Sequence, residues 1–167
     1  MDLMKENRVI HPLSPVYDAN SRVLILGSFP SVRSRETGFF YGHPRNRFWK
    51  VLAEVFEDAV PETIAEKKAF LLKHGVAVWD VIASCEIKGS SDASITNVRV
   101  NDLSVILDKA DIRNIYVNGS TAERIYEKYM EKQIGHKCIR LPSTSPANAA
   151  WSLQALAESW KIIRYNN

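Results

Sequence analysis

Apolar positions follow two rhythms along the chain. A near-continuous apolar run at 22–27 reads as a buried strand, and 76–81, 114–118 and 137–141 read as three more strands. A parallel strand covered by helices on both faces has no polar side to alternate with. Elsewhere the apolar residues recur at spacings of three and four, the signature of a helix with one buried stripe. Phe48, Val51, Leu52, Val55 and Phe56 form one such stripe. Ala122, Ile125, Tyr126, Tyr129 and Met130 form a second, and Leu153, Leu156, Trp160 and Ile163 a third. A weaker helix follows Pro61, whose fixed φ suits a helix start, and a short one covers 103–110. Strands alternating with helices predict a three-layer α/β/α fold on a central four-stranded parallel sheet. The last helix is expected to start at Ser145, with Pro146 in its first turn. Residues 84–101 are rich in Ser, Asn, Asp and Gly without a period, and read as a long ordered loop.

Length and composition add bounds. At 167 residues, 46% apolar and 25% charged, residues 1–167 are expected to form a single domain with a substantial core. Neither a repeat nor a linker interrupts it. Residues 1–6 resemble no leader segment and no apolar run approaches the roughly 20 residues that span a bilayer, so a cytoplasmic, membrane-free protein is expected. Cys85 and Cys138 fit a reducing compartment and have no metal-ligand spacing. The net charge of +3 is unevenly spread: residues 31–50 hold five basic side chains and one acid, and the rest of the chain sums to −1. A basic loop on a near-neutral body suggests a localised anionic partner.

In an open parallel sheet the loops leaving the carboxyl ends of the strands share one edge. Here those loops are 27–46, 80–101, 118–120 and 142–148, which makes Tyr41, Asn46, Asp80, Asn118, Ser143 and Ser145 candidate neighbours. No nucleophile elbow, phosphate loop, zinc-protease helix or cysteine pair occurs. His11, His43, His74 and His136 are scattered, and only His43 stands in a suspicious loop, held extended by Pro44. No metal or cofactor is expected. The distinctive stretch is 38–49, Gly-Phe-Phe-Tyr-Gly-His-Pro-Arg-Asn-Arg-Phe-Trp. Its aromatics can stack on a base, its arginines can hold phosphates and its Asn can orient a water. From the residues alone, Asn46 reads equally as a helix N-cap, Asp80 as a turn cap, Asn118 as part of an Asn-Gly turn, and Arg47 as an internal brace.

Gly27-Ser28-Phe29-Pro30 followed by residues 37–49 resembles motif 1 of the uracil-DNA glycosylase superfamily. Residues 141–148, Leu-Pro-Ser-Thr-Ser-Pro-Ala-Asn, stand where its second motif falls. The order of elements agrees with that superfamily over essentially the whole chain. Two departures sharpen the resemblance. Phe29 stands where the mismatch-specific enzymes place a water-orienting Asn, and Ser143 replaces the first Asn of motif 2. Together with Ser-Cys-Glu-Ile-Lys-Gly-Ser-Ser-Asp-Ala-Ser-Ile at 84–95, the combination is similar to the hypoxanthine (deoxyinosine) DNA glycosylase branch.

The resemblance implies a monofunctional glycosylase that flips a deaminated base out of DNA and hydrolyses its N-glycosidic bond. It implies Asn46 as the catalytic residue and Tyr41 as the ring stacked on the base, with Phe29, Asp80 and Asn118 completing the base pocket. Ser143, Ser145 and Asn148, with Arg33, Arg35, Arg45 and Arg47, would contact DNA. Ala147 occupies the position of a gap-filling wedge and is too small for it. The implied partner is DNA containing deaminated bases, bound by a monomer. Mismatch-specific uracil or thymine excision, hydrolysis of free deaminated nucleosides, and damaged-DNA binding without catalysis are the competing expectations.

Overall fold

The computed structural model describes residues 8–165; the expectation for 1–6 falls on residues outside that range. In chain order the elements are β1 (Arg8–Ile10), β2 (Val23–Gly27), α1 (Val32–Thr37), α2 (Phe48–Phe56), α3 (Ile64–Lys73), β3 (Val76–Asp80), β4 (Ile82–Glu86) and β5 (Thr96–Val100). They continue with α4 (Ser104–Leu107), β6 (Asn114–Asn118), α5 (Ser120–Tyr129), α6 (Glu131–Ile134), β7 (Cys138–Leu141), α7 (Leu153–Trp160) and α8 (Ile162–Tyr165).

The expected four-stranded parallel sheet is present, in the order β3-β2-β6-β7, with helices flanking it. Every residue of β2 and β3 is buried, which is why their sequences do not alternate. Helix α2 packs on α7, α3 on β3, and α5 on β6 and β7. The chain runs from β2 outward to β3, then crosses back to β6 on the other side of β2. The reversal opens a crevice at the carboxyl ends of β2 and β6, where open α/β sheets bind ligands.

Residues 84–101 are not the expected loop. They contain most of β4 and all of β5, which with β1 form an antiparallel sheet in the order β1-β4-β5. Two register shifts interrupt the β4–β5 pairing, and β5 is largely exposed, so neither strand shows a clean two-residue period. The chain passes from one sheet to the other at Val81, whose N–H donates to Gly27 O at 2.8 Å. Asn101 secures the switch by donating Nδ2 to the carbonyls of Asp80 (2.8 Å) and Ile82 (3.2 Å).

The final helix also starts later than expected. Ser152, not Ser145, is its N-cap, with Oγ accepting from Ala155 N at 3.0 Å. The hydroxyls of Ser143 and Ser145 instead accept from the backbone N–H two residues on, at 3.1 and 3.2 Å. Such local bonds hold 143–147 in turns and compete with helix formation.

Candidate functional site

The carboxyl-edge crevice has a volume of about 890 Å³, and all four expected loops contribute to its walls. Its floor is where β2 ends. Gly27 pairs in register with Asp80, and a Cβ on Gly27 would lie inside 3.0 Å of Asp80 Oδ1 and 3.0 Å from the Tyr41 hydroxyl. The missing side chain is therefore what lets those two polar groups close over the strand end.

Asp80 caps no turn with its side chain. Its Oδ2 lies 2.7 Å from His11 Nε2, and the two side chains are only 5% and 3% exposed. His11 Nδ1 accepts from Leu13 N at 3.1 Å. A nitrogen that accepts carries no proton, so the ring proton sits on Nε2 and is donated to Asp80. The imidazole is also edge-on to Phe29 and Trp79, at centroid distances of 5.8 and 6.4 Å. His11 reaches this place because its N–H donates to Ala83 O at 2.7 Å, extending the β1–β4 ladder by one bond. Sequence reasoning counted His11 among the scattered histidines. No period or motif marks it, because its partner is 69 residues away.

Tyr41 lies against Phe48, ring to ring at 3.8 Å and 15°, so one face of its ring is already covered. Its φ of 53° is left-handed, uncommon for a non-glycine residue. Its hydroxyl is buried and has no hydrogen-bond partner among the described residues. Burial first and the charge of Asp80 second push that hydroxyl well above the usual phenol range; the nearby Asn118 side chain partly opposes the shift. Phe29 is buried at the same floor, while Phe39 and Phe40 pack into the core.

Asn46 faces the crevice one position before the N-cap of α2. Its Oδ1 accepts from Phe48 N at 3.0 Å, which is cap-like bonding, and this leaves the amide NH2 uncommitted by that bond. Capping and a crevice role thus coexist in one side chain. His43 braces the same turn: Nδ1 accepts from Arg45 N at 3.1 Å and its carbonyl accepts from Asn46 N at 2.9 Å.

The opposite wall is tied down by two clamps. Asn118 donates Nδ2 to Thr144 Oγ1 at 3.0 Å and accepts from Thr144 N at 3.1 Å, and Thr144 is fully buried. Arg47 donates to the carbonyls of Ser145 (3.2 Å), Asn148 (3.0 Å) and Trp151, while its N–H donates to Thr144 O at 3.1 Å. Arg47 is therefore a brace between the two motif loops. Asn148 donates Nδ2 to Ser143 O at 3.0 Å and fixes the same turns. Arg35 is also engaged internally, donating to Gly89 O at 2.8 Å with its guanidinium 5.6 Å over Phe29. Arg33 and Arg45 are exposed, and Arg33 faces Glu36 at 4.0 Å.

Two crevice residues beyond the expected set come into view. Asp92 faces the crevice from the 3₁₀ turn before β5, with Oδ1 accepting from Ser28 Oγ at 3.1 Å. Although the residue as a whole is exposed, crowding desolvates its carboxyl and raises its pKa, opposed by the Ser28 and Thr121 hydroxyls. Trp151 stands at the mouth, 38% exposed, on the turn whose carbonyls Arg47 holds.

The described residues contain no helix long and apolar enough to cross a membrane. The family model for the uracil DNA glycosylase superfamily matches residues 14–166. A protein of Methanosarcina acetivorans named hypoxanthine DNA glycosylase is 33% identical over 152 residues, 90% of this chain and 95% of that protein. One of the same name from Methanosarcina barkeri is 30% identical over 148 residues, 87% of this chain and 92% of that one. The solution NMR structure of a Methanosarcina acetivorans protein, provisionally described as a uracil DNA glycosylase, superposes with a TM-score of 0.79 at 29% identity, over 94% of this chain and 98% of that one. With the sheet order, the crevice and both motif loops in agreement, the chain belongs to the uracil DNA glycosylase superfamily.

Proposed function

We infer that this protein is a monofunctional DNA glycosylase of base-excision repair that removes hypoxanthine from DNA. The observation that carries the reading is the crevice floor, where the apolar Phe29 replaces a water-orienting amide and the Asn46 side chain faces the same space. The likeness to two proteins named hypoxanthine DNA glycosylase, across nearly their full lengths, supports the same base.

The chemistry follows from what the bond requires. An extruded deoxyinosine places its glycosidic bond inside the crevice, out of the base stack. As the C–N bond breaks, cationic character develops on the sugar and negative charge on the departing base. Asn46 positions the water that adds to the sugar carbon, since its amide can hold a water while Oδ1 remains tied to Phe48 N. The base leaves with the bonding electrons, the water supplies the hydroxyl, and the proton that the water gives up neutralises the departing base, so neither a covalent enzyme adduct nor a lysine is required. Asp80, Tyr41 and Asn118 border the base, with Asn118 orienting the wall through Thr144. Arg33 and Arg45, with the turns at Ser143 and Ser145, face the DNA backbone. The protein acts as a monomer in the cytoplasm, on the nucleoid if the cell is prokaryotic.

Duplexes containing deoxyinosine, deoxyuridine, xanthine or ethenoadenine, incubated with EDTA present and then treated with alkali, test the reading. Strand breaks at deoxyinosine above the other lesions are expected. Breaks at none would reject the activity, and borohydride trapping of a protein–DNA adduct would reject the monofunctional mechanism.

A further inference from the structure

At and just behind the floor of the crevice stands a trio: a buried histidine of fixed tautomer, the buried Asp80 carboxylate that it bonds, and the buried Tyr41 hydroxyl, which has no hydrogen-bond partner among the described residues. His11 gives its one ring proton to Asp80 Oδ2, because Leu13 N–H already occupies the other ring nitrogen. The remaining carboxylate oxygen, Oδ1, projects over Gly27, and the Tyr41 hydroxyl converges on the same point. Buried polar groups of native proteins are nearly always paired, so the unmade bond at Tyr41 marks a place that a ligand completes. The phenol stays protonated under ordinary conditions and is free to donate. An acceptor and a donor therefore stand together on one side of the space left for a base.

We propose that His11 is a positioning residue that sets base specificity: by donating to Asp80 it fixes that carboxylate as an acceptor beside the Tyr41 donor, and the pair reads the ring N–H and 6-oxo group of a deaminated purine while refusing adenine. The inference rests on the glycosylase reading above and names its discriminating element. Hypoxanthine presents N1–H as donor and O6 as acceptor, the complement of Asp80 Oδ1 and Tyr41 Oη. Adenine presents the reverse, a lone pair at N1 and an amino group at position 6. Its N1 would face a carboxylate lone pair, and polar groups mismatched inside a closed site are what give large discrimination. The pair reads what hypoxanthine shares with guanine and what adenine lacks. Without His11 the carboxylate would lose its buried donor and be free to turn away from the base.

Single-turnover excision from duplexes carrying deoxyinosine, N1-methyldeoxyinosine or deoxyadenosine tests this for the wild type, His11→Ala, His11→Gln and Asp80→Asn. Melting curves report whether each variant is folded. The wild type is expected to excise hypoxanthine at least about 100-fold faster than its N1-methyl form, which has no N–H to give. His11→Ala should lower hypoxanthine excision about 10- to 100-fold, the worth of a bond to a charged group, and narrow the gap to the N1-methyl base. His11→Gln, which keeps an N–H for Asp80, should restore most of the rate. Asp80→Asn should narrow the preference for hypoxanthine over adenine. Equal excision of hypoxanthine and its N1-methyl form by the wild type would overturn the proposal, as would equal losses on both from a folded His11→Ala. Binding of free hypoxanthine and free adenine, followed by tryptophan fluorescence, separates the two claims. Preference for hypoxanthine without cleavage would reject the glycosylase reading and keep this one; cleavage without preference would do the opposite.

Discussion

Adding one methyl group at Gly27 perturbs the site without removing any polar group. Gly27→Ala puts a Cβ inside 3.0 Å of Asp80 Oδ1 and 3.0 Å from the Tyr41 hydroxyl. Gly27 lies outside the left-handed region and pairs in register with Asp80, so alanine is tolerated by the backbone and the whole cost falls on the contact. To restore ordinary separation, the carboxylate must retreat by on the order of 1 Å. It cannot do so and keep its 2.7 Å bond from His11, because the imidazole is itself fixed by Leu13 N and packed between Phe29 and Trp79. A buried carboxylate that loses a hydrogen bond costs about 1.5–3 kcal/mol. A displacement of that size near the chemistry costs about 100-fold in rate. Urea unfolding and single-turnover excision of hypoxanthine measure the two effects. Gly38→Ala is the control: Gly38 has φ +80° with nothing within 4 Å of its Cβ, so it should lower stability by about 1–2 kcal/mol and leave the rate alone. A Gly27→Ala protein with wild-type stability and rate would refute the reasoning about the floor.

Three further outcomes are expected. Asn46→Ala should abolish excision and cost about 1 kcal/mol of stability through the lost bond to Phe48 N, whereas Asn46→Asp should recover the stability and not the activity; an active Asn46→Asp enzyme would show that the amide is dispensable. Arg45→Ala should lower the slope of log affinity against log salt by about one, while Arg47→Ala should leave the slope unchanged and lower stability by about 1–3 kcal/mol, as salt-titrated duplex binding and melting will report. Trp151→Ala should keep the melting temperature, since the indole is exposed, and weaken binding to a lesion duplex by about tenfold, because it removes an exposed aromatic side chain at the mouth able to stack on a base.

Much of the architecture was legible because hydrophobic pattern reports burial directly. The runs at β2, β3 and β6 fit a covered parallel sheet, while the short, half-exposed β7 gave a weaker signal, and the stripe beginning at Phe48 could form only a helix with one buried face. The long strings around Asn46 and Ser143 also carried the family. The β4–β5 ribbon escaped notice because register shifts and exposure erase the two-residue period. The start of α7 was misplaced because Ser145-Pro146 is a good helix opening by local chemistry. In the folded chain its serines bond to their own turn, and Arg47 takes the carbonyls of Ser145 and Asn148.

The sequence by itself determined the four strands of the parallel sheet, the main buried helix faces, the two motif loops and their meeting at one edge of the sheet, since all of these follow from periodicity and parallel order. Tertiary structure alone decided what each polar side chain does there. It paired Asp80 with His11, left the Tyr41 hydroxyl without a hydrogen bond among the described residues, turned Arg35 and Arg47 inward, and left Arg33 and Arg45 to the solvent. The reason is physical. Burying an apolar residue requires only an interior, whereas a hydrogen bond requires one particular partner. Here the partners lie 54 to 104 residues apart and are brought within 3.5 Å only when two sheets and the turn at 143–151 come together.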